Sequence, residues 1–392
     1  MYVERSILGR FASASRLSNV VAIVGPRQSG KTTFLKEQAK GLSSYVLFDD
    51  PDVREMFDED IKKFESQYIQ ADRPTILDEV QYAKDPGRKL KYLADMGRRL
   101  WITSSSQALL RKETLGWLVG RVTILTLYQF SLEEFLVAKG QKETTEGITS
   151  RAIDEHMRYG GYPKVVLEEK KEDKETLLSD LYETMVLKDV ARAFRIDDIA
   201  MIERMSLYLS HCVGNVLVYN SVSKELGLSF QSVKKYLDAM EKSYIIARVQ
   251  PFYRNKLKEI TKQPKVYFLD TGLRNAVAKD FKISQESRGK VFENYVFSEL
   301  VKADMVVKFW LLKSRAEVDF IVEKGDRAIP VEVKLKSGGA EVERSMRSFI
   351  EEYKPRLGFV VFMEGKQDEV KKNGCTVKFV NVPALISQLK GL

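Results

Sequence analysis

Apolar residues along this chain change rhythm from one region to the next. In the first third, short unbroken apolar runs such as Val20-Val21-Ala22-Ile23-Val24 and Tyr45-Val46-Leu47-Phe48 are separated by segments with helical spacing. Further strand-like segments, less strictly apolar, lie at 74–77, 98–103 and 122–127. Runs of this length bounded by turn residues predict strands buried on both faces of a parallel sheet, with a helix over 31–40. Residues 132–204 read as charged helices, interrupted at Gly160-Gly161-Tyr162-Pro163, where two glycines and a proline mark a turn.

From 215 to 255 the pattern predicts two short helices and a hairpin. Ser221 is placed to cap a helix with Val222 and Leu226 inward, which Gly227 ends. Ser229 is placed to cap a second helix carrying Val233, Leu237 and Met240 on one face, which is the helix-turn-helix spacing. Residues 244–249 and 252–256 would form a wing. Later, a helix over 289–301 carries Phe292, Val296 and Leu300, followed by strands at 309–312, 317–322 and 329–334, the last two joined at Gly325-Asp326.

Composition narrows the class. The 392 residues are 44% apolar and 30% charged, which suits a multidomain globular protein. No apolar run reaches the roughly 18 residues of a membrane span, and Met1-Tyr2-Val3-Glu4-Arg5 does not open a secretory signal. With 2 cysteines and 2 histidines, a zinc site or disulfide framework is not expected, and a cytoplasmic location is. The net charge of +9 suits an anionic partner such as DNA, although mixed stretches like Glu168-Glu169-Lys170-Lys171-Glu172-Asp173-Lys174 read as solvated helix faces.

The densest chemistry lies at Gly25-Pro26-Arg27-Gln28-Ser29-Gly30-Lys31-Thr32-Thr33, which matches G-x-x-x-x-G-K-[ST] between a strand and a helix. The loop's N–H groups and the helix dipole suit the phosphates of ATP or ADP, Lys31 supplies a point charge, and Thr32 supplies a hydroxyl for Mg²⁺. Asp78 and Glu79 end an apolar run, as the Mg²⁺-side acid and the residue that polarises attacking water. Thr103 and Ser104 end another run, either as a hydrogen-bonding sensor of the γ-phosphate or as a turn capping the next helix. Arg121, after Gly120, is a candidate for charge neutralisation at the γ-phosphate, within the chain or from a neighbouring subunit of a homo-oligomer.

The order of these motifs, from the P-loop through Asp49-Asp50, Asp78-Glu79-Val80-Gln81, Ile102-Thr103-Ser104-Ser105-Ser106, Leu118-Val119-Gly120-Arg121 and Phe130-Ser131-Leu132-Glu133-Glu134-Phe135, resembles the AAA-type ATPases widespread in archaea and bacteria. That family's usual Thr-Gly-Ser is altered here, since Ser104 replaces the glycine. The resemblance continues through Gly160-Gly161-Tyr162-Pro163 and Lys265-Val266-Tyr267-Phe268-Leu269-Asp270-Thr271-Gly272-Leu273. It implies an α/β chain with an ATPase core at 1–135, a helical lid at 136–205, a winged helix-turn-helix at 206–262 and a C-terminal domain at 263–392.

On the second helix of the helix-turn-helix, Ser229, Gln231, Ser232, Lys234 and Lys235 are short polar or basic groups suited to a major groove, though such units also mediate protein packing. In the C-terminal region strand alternation puts Glu332 and Lys334 on one face and Val331, Val333 and Leu335 on the other, with Asp319 one hairpin away. Two carboxylates and an ammonium around one point suit metal-assisted phosphodiester hydrolysis with Mg²⁺ or Mn²⁺: Asp319 and Glu332 as ligands, Lys334 orienting water. With Glu293 on the preceding helix, the set resembles the PD-(D/E)xK nuclease superfamily, whose restriction-endonuclease-like fold is known both in active nucleases and in inactive binding modules. The combined expectation is a Mg²⁺-dependent ATPase that acts on DNA; a nucleotide-dependent assembly switch is the alternative.

Overall fold

A computed structural model of the chain describes residues 2–105, 115–141, 145–192, 194–312, 316–337 and 341–392, with the side chains of 115, 187, 188, 192 and 258 outside that description. Ser106, the last residue of the expected hydroxyl-rich strand end, lies outside the described residues. The chain divides into two compact units: Met1–Phe130 with Leu187–Asp197 and Lys242–Tyr244, and Ser131–Val186 with Asp198–Glu241 and Ile245–Leu392. The expected segments at 136–205, 206–262 and 263–392 thus fall mainly in one unit.

In the first unit β1 (Val20–Val24), β2 (Ser44–Leu47), β3 (Thr75–Asp78), β4 (Leu100–Ser104) and β5 (Val122–Thr126) form a parallel sheet in the order β2-β3-β4-β1-β5. All five residues of β1 are buried, as a strand covered on both faces requires. Val24 lies beside Ser104 and Thr126, so the ends of β1, β3 and β4 open on one edge of the sheet, the edge where open α/β sheets bind ligands. Helices α1 (Leu8–Leu17) and α2 (Lys31–Ala39) join this sheet's core through Phe11, whose ring meets Phe34 at 5.0 Å and Trp101 at 4.9 Å. Asp50 caps α3 (Pro51–Glu59), and Phe57 then stands edge-on to Phe48 and to Phe64 of α4 (Ile61–Tyr68).

The second unit opens with helices, the longer ones being Glu146–Tyr159, Lys171–Thr184 and Ile199–His211. The expected helix-turn-helix is present as Tyr219–Leu226, a turn with Gly227 in the left-handed region, and Phe230–Lys242. Its first helix begins at Tyr219 with no side-chain cap, so Ser221 lies inside the helix and caps nothing. Ser229 accepts from Ser232 N at 3.0 Å, as a cap does.

The wing differs from expectation. The strand β6 (Ile246–Val249) pairs antiparallel with β7 (Lys265–Phe268), and not with 252–256. The reason is local. Phe252 is buried against Phe349 and Tyr353, and Asn255 caps a helix, Lys256–Thr261, in place of a returning strand. Arg248 ties β6 to both helices, donating to Glu241, Asp238 and the Tyr219 hydroxyl.

Strands β8 (Val306–Leu311), β9 (Glu317–Lys324), β10 (Arg327–Lys336), β11 (Leu357–Glu364), β12 (Asp368–Lys372) and β13 (Cys375–Val380) form a mixed sheet in the order β12-β13-β11-β10-β9-β8. The helix Gln285–Lys302 is buried continuously from Val291 to Leu300, so it is enclosed and not merely laid on a surface.

The turn at 160–163 exists to receive Asp270. This buried carboxylate accepts from Gly161 N at 2.8 Å and from Leu273 N at 2.9 Å, capping the helix Thr271–Ala278. A Cβ on Gly160, whose φ is +71°, would stand 2.0 Å from Asp270 Oδ1. Replacing Asp270 by alanine should therefore strand two buried donors and cost about 2–4 kcal/mol. Urea unfolding checks this, and Asp270→Asn, which keeps an acceptor, should recover most of the loss.

Candidate functional site

In the first unit, the P-loop is shaped by close approach. Gly25 has φ +149°, and a Cβ there would lie 2.2 Å from the Leu127 carbonyl oxygen, so only glycine lets β1 turn beside the end of β5. A buried arginine braces the loop from outside the motif: Arg5 donates to Ser29 O at 2.8 Å and Tyr128 O at 2.7 Å and stacks on Phe130. Lys31, 5% exposed, turns back to donate to the carbonyls of Gly25 at 3.1 Å and Pro26 at 2.9 Å. Burial pulls its ammonium below the ordinary range, opposed by Glu79, Asp189 and Asp78.

Asp78 is the centre of the arrangement. It is 5% exposed, and it receives three hydroxyls: Thr32 Oγ1 at 2.9 Å to each oxygen, Tyr45 OH at 2.7 Å, and Thr103 Oγ1. Burial first, and then the bond to Asp78, hold the Tyr45 phenol above its usual value, so it remains a donor. A buried carboxylate facing hydroxyl oxygens is a hard-oxygen environment, and Asp78 with Thr32 fits Mg²⁺.

Glu79 has φ +56° and ψ +44°, a left-handed conformation that costs a non-glycine residue on the order of 1–3 kcal/mol. Its surroundings hold it there. Thr103 Oγ1 accepts from Glu79 N at 2.9 Å, while the Glu79 carboxylate accepts from Ser105 N at 3.2 Å, Ser105 Oγ at 3.1 Å and Gln81 Nε2. Of the two expected sensor hydroxyls, Thr103 reaches both acidic residues. Ser104 is buried, and it is Ser105, not singled out in sequence, that reaches Glu79.

Arg27 extends to Asp189, with Nε 2.8 Å from each carboxylate oxygen, and to Tyr82 OH at 3.1 Å. Arg121 is not brought to this group. It precedes β5, whose first residue pairs with Val20, so it lies at the opposite edge of the sheet, in an ion pair with Asp95 at 2.5 Å. Tyr45, Arg5 and Asp189 carried no local signal, because each reaches the site only through the tertiary fold.

The second unit holds the C-terminal carboxylates. The antiparallel register of β9 and β10, with Val331 beside Phe320, brings Asp319 and Glu332 together. Asp319 Oδ2 accepts from Val333 N at 2.8 Å. Lys334 Nζ is 3.3 Å from Glu332 Oε1 and 2.7 Å from Glu343. Among the described residues, Glu332 Oε2 is buried without a partner. The alternation on β10 holds only in part, since Val331 and Glu332 are both buried while Val333 and Leu335 are half-buried.

Glu293 is engaged elsewhere. It accepts from Tyr267 OH at 2.6 Å, Lys290 Nζ at 2.7 Å and Lys265 Nζ at 3.4 Å, and Lys265 also pairs with Glu317. Among the described residues, no three His, Cys, Asp or Glu side chains are grouped to hold a metal. Asp319 and Glu332 are thus the two carboxylates that the strand register brings together, while Glu293 is held by Tyr267, Lys265 and Lys290.

On the second helix of the helix-turn-helix, Ser229, Gln231, Lys234 and Lys235 are exposed and Ser232 is half-buried against Ser229. Phe230, 45% exposed, stands among them and was not anticipated.

Residues 17–136 match a family model described as an AAA domain, while 150–285 and 288–385 match two models described as domains of unknown function (DUF8612 and DUF4143). An uncharacterized protein of Haemophilus influenzae is 27% identical over 337 residues, covering 80% of this chain and 82% of the relative. One from Methanocaldococcus jannaschii is 23% identical over 369 residues, covering 88% and 81%. Among solved structures, the Walker-type ATPase of Pyrococcus abyssi aligns with a TM-score of 0.43 at 12% identity, over 70% of this chain and 96% of that one. The ORC2 protein of Aeropyrum pernix aligns with a TM-score of 0.40 at 12% identity, over 72% and 96%. The residues that match the AAA-domain model, 17–136, are those that carry the P-loop and the five-stranded parallel sheet.

The C-terminal pair makes stability depend on pH. Burial, then the charge of Glu293, pushes Asp319 up to about 6, and burial, then Asp319, pushes Glu332 up to about 9. An acid raised on folding stabilises the native state fully below its unfolded value, and that contribution is lost as pH rises through the folded value. In metal-free buffer the melting temperature should therefore fall between pH 5 and pH 9. Glu332→Gln should flatten the alkaline part of that fall, as differential scanning fluorimetry across pH would register.

Proposed function

We propose that the chain is a Mg²⁺-dependent ATPase whose nucleotide cycle acts on DNA. The observation that carries the ATPase reading is the buried Asp78 ringed by the hydroxyls of Thr32, Tyr45 and Thr103 beside the Lys31 ammonium. Residues 25–33 cradle the phosphates through backbone N–H groups, and Lys31 leaves the loop carbonyls to meet their charge. Thr32 and Asp78 hold Mg²⁺, which when bound neutralises charge building on the phosphates. Glu79, fixed by Ser105 and Gln81, polarises the attacking water; Thr103 keeps the two acids in register. Arg121 has no role within one chain and enters only if a homo-oligomer carries it to a neighbour's nucleotide.

Support for DNA comes from the +9 charge and from the exposed Ser229, Gln231, Lys234 and Lys235 at the start of the second helix of the helix-turn-helix. The orphaned Glu332 oxygen, Asp319 and Lys334 support a metal-dependent nuclease centre taking Mg²⁺ or Mn²⁺, with Lys334 orienting water. A second reading, a nucleotide-dependent switch whose nuclease-like domain only binds, is favoured by the engagement of Glu293 with Lys265, Tyr267 and Lys290.

Two sets of variants test these readings. Lys31→Ala should abolish ATP binding, whereas Glu79→Gln should keep binding and stop phosphate release; equal loss of affinity in both would make Glu79 structural. Asp319→Ala should abolish Mn²⁺-dependent cleavage across single-stranded, duplex and branched DNA while leaving ATP turnover intact. Wild-type protein that binds this panel with a steep salt dependence and cuts none of it would establish the binding-module reading instead.

A further inference from the structure

We propose that Arg27 is the residue that reads the γ-phosphate of ATP, and that Asp189 is the carboxylate from which the γ-phosphate takes it. This rests on the nucleotide-site reading above and goes beyond it. The P-loop motif requires no cation at this position, yet Arg27 sits four residues before Lys31 with its guanidinium against Asp189 and Tyr82. Arg27 and Lys31 both lie near Glu79 and Asp189, and Lys31 lies near Asp78 as well. Asp189, with 3% of its side chain exposed, fills the part of an anion against Arg27. A bound triphosphate brings a competing anion to that guanidinium; a diphosphate, one phosphoryl group shorter, does not. Arginine suits the exchange because its planar fork pairs equally well with carboxylate and phosphate oxygens.

What Asp189 is attached to gives the exchange a consequence. It lies in a π-helical stretch, Met185–Arg192, a form frequent at functional sites. Its carbonyl oxygen accepts from Ser243 Oγ at 2.8 Å, and Ser243 directly follows the helix Phe230–Lys242 of the helix-turn-helix. Tyr244, next in the chain, has φ +61°. Leu187–Asp197 and Lys242–Tyr244 belong to the ATPase unit although the residues flanking them belong to the other. By chain continuity alone, a change at Asp189 reaches the end of the helix proposed to meet DNA. The bonds Arg27 to Asp189 to Ser243 thus report triphosphate, and not diphosphate, to that helix.

The test is titration of the full chain with fluorescent N-methylanthraniloyl ATP and ADP in the presence of Mg²⁺. Arg27→Ala should weaken ATP binding roughly 10- to 100-fold, the range for a charge-assisted hydrogen bond, and change ADP binding less than about threefold. Arg27→Lys, which keeps the charge but loses the fork, should fall between. Asp189→Asn should tighten ATP binding when Arg27 is present and leave it unchanged in Arg27→Ala. Hydrogen exchange should quicken at 187–197 and 242–244 on adding ATP to wild type, and not on adding ADP or with Arg27→Ala. Equal loss of ATP and ADP affinity in Arg27→Ala, or an Asp189→Asn effect that persists without Arg27, would make the pair a structural ion pair and overturn the proposal. Wild-type protein that binds neither nucleotide would overturn the nucleotide-site reading itself.

Discussion

A buried carboxylate must be compensated, and the arrangement of the first unit follows from how Asp78 is. It sits at the end of β3 with three hydroxyls from three different elements turned onto it and, among the described residues, no cation in hydrogen-bond contact. Hydroxyls satisfy its lone pairs without neutralising its charge. That leaves the carboxylate an anion suited to a hard cation, where an arginine partner would have closed it off. The parallel sheet makes this possible, because only the common carboxyl edge of β1, β3 and β4 brings Thr32, Asp78 and Thr103 to one place. Glu79 and its left-handed backbone depend on the same Thr103.

The two units answer the same problem differently. In the C-terminal sheet, Lys265, itself buried, serves Glu293 and Glu317. Burial lowers its ammonium, but Glu293, Asp319 and Glu317 outweigh that and hold it above its ordinary value. Asp319 and Glu332, lacking such a cation in contact with both, are pushed toward protonation. The internal lysine makes its hydrogen bonds to Glu293 and Glu317 and reaches Asp319 only through its charge, and Asp319 with Glu332 is the pair for which a metal role is proposed.

How far the sequence could be read depended on distance along the chain. The P-loop, the Asp78-Glu79 strand end and the E-x-K strand are local patterns, and the strands and helices that carry them lie within a few residues of their expected bounds. Tyr45, Ser105, Arg5 and Asp189 reach the site through strand order and chain crossings that no local spacing encodes. The expected wing is not formed by 252–256 because Phe252 is a core side chain and Asn255 a helix cap. Arg121 stands just before a strand of the parallel sheet and so lies at its amino edge, away from the P-loop.

The most direct measurement of the Asp78 site is calorimetric titration of ATP into the protein with Mg²⁺ and, separately, with EDTA. If Asp78 and Thr32 hold the ion, removing Mg²⁺ should weaken ATP binding about tenfold or more in wild type. In Asp78→Asn the two titrations should coincide, near the metal-free value of wild type. Equal affinity with and without Mg²⁺ in wild type, or a metal effect undiminished in Asp78→Asn, would contradict the assignment.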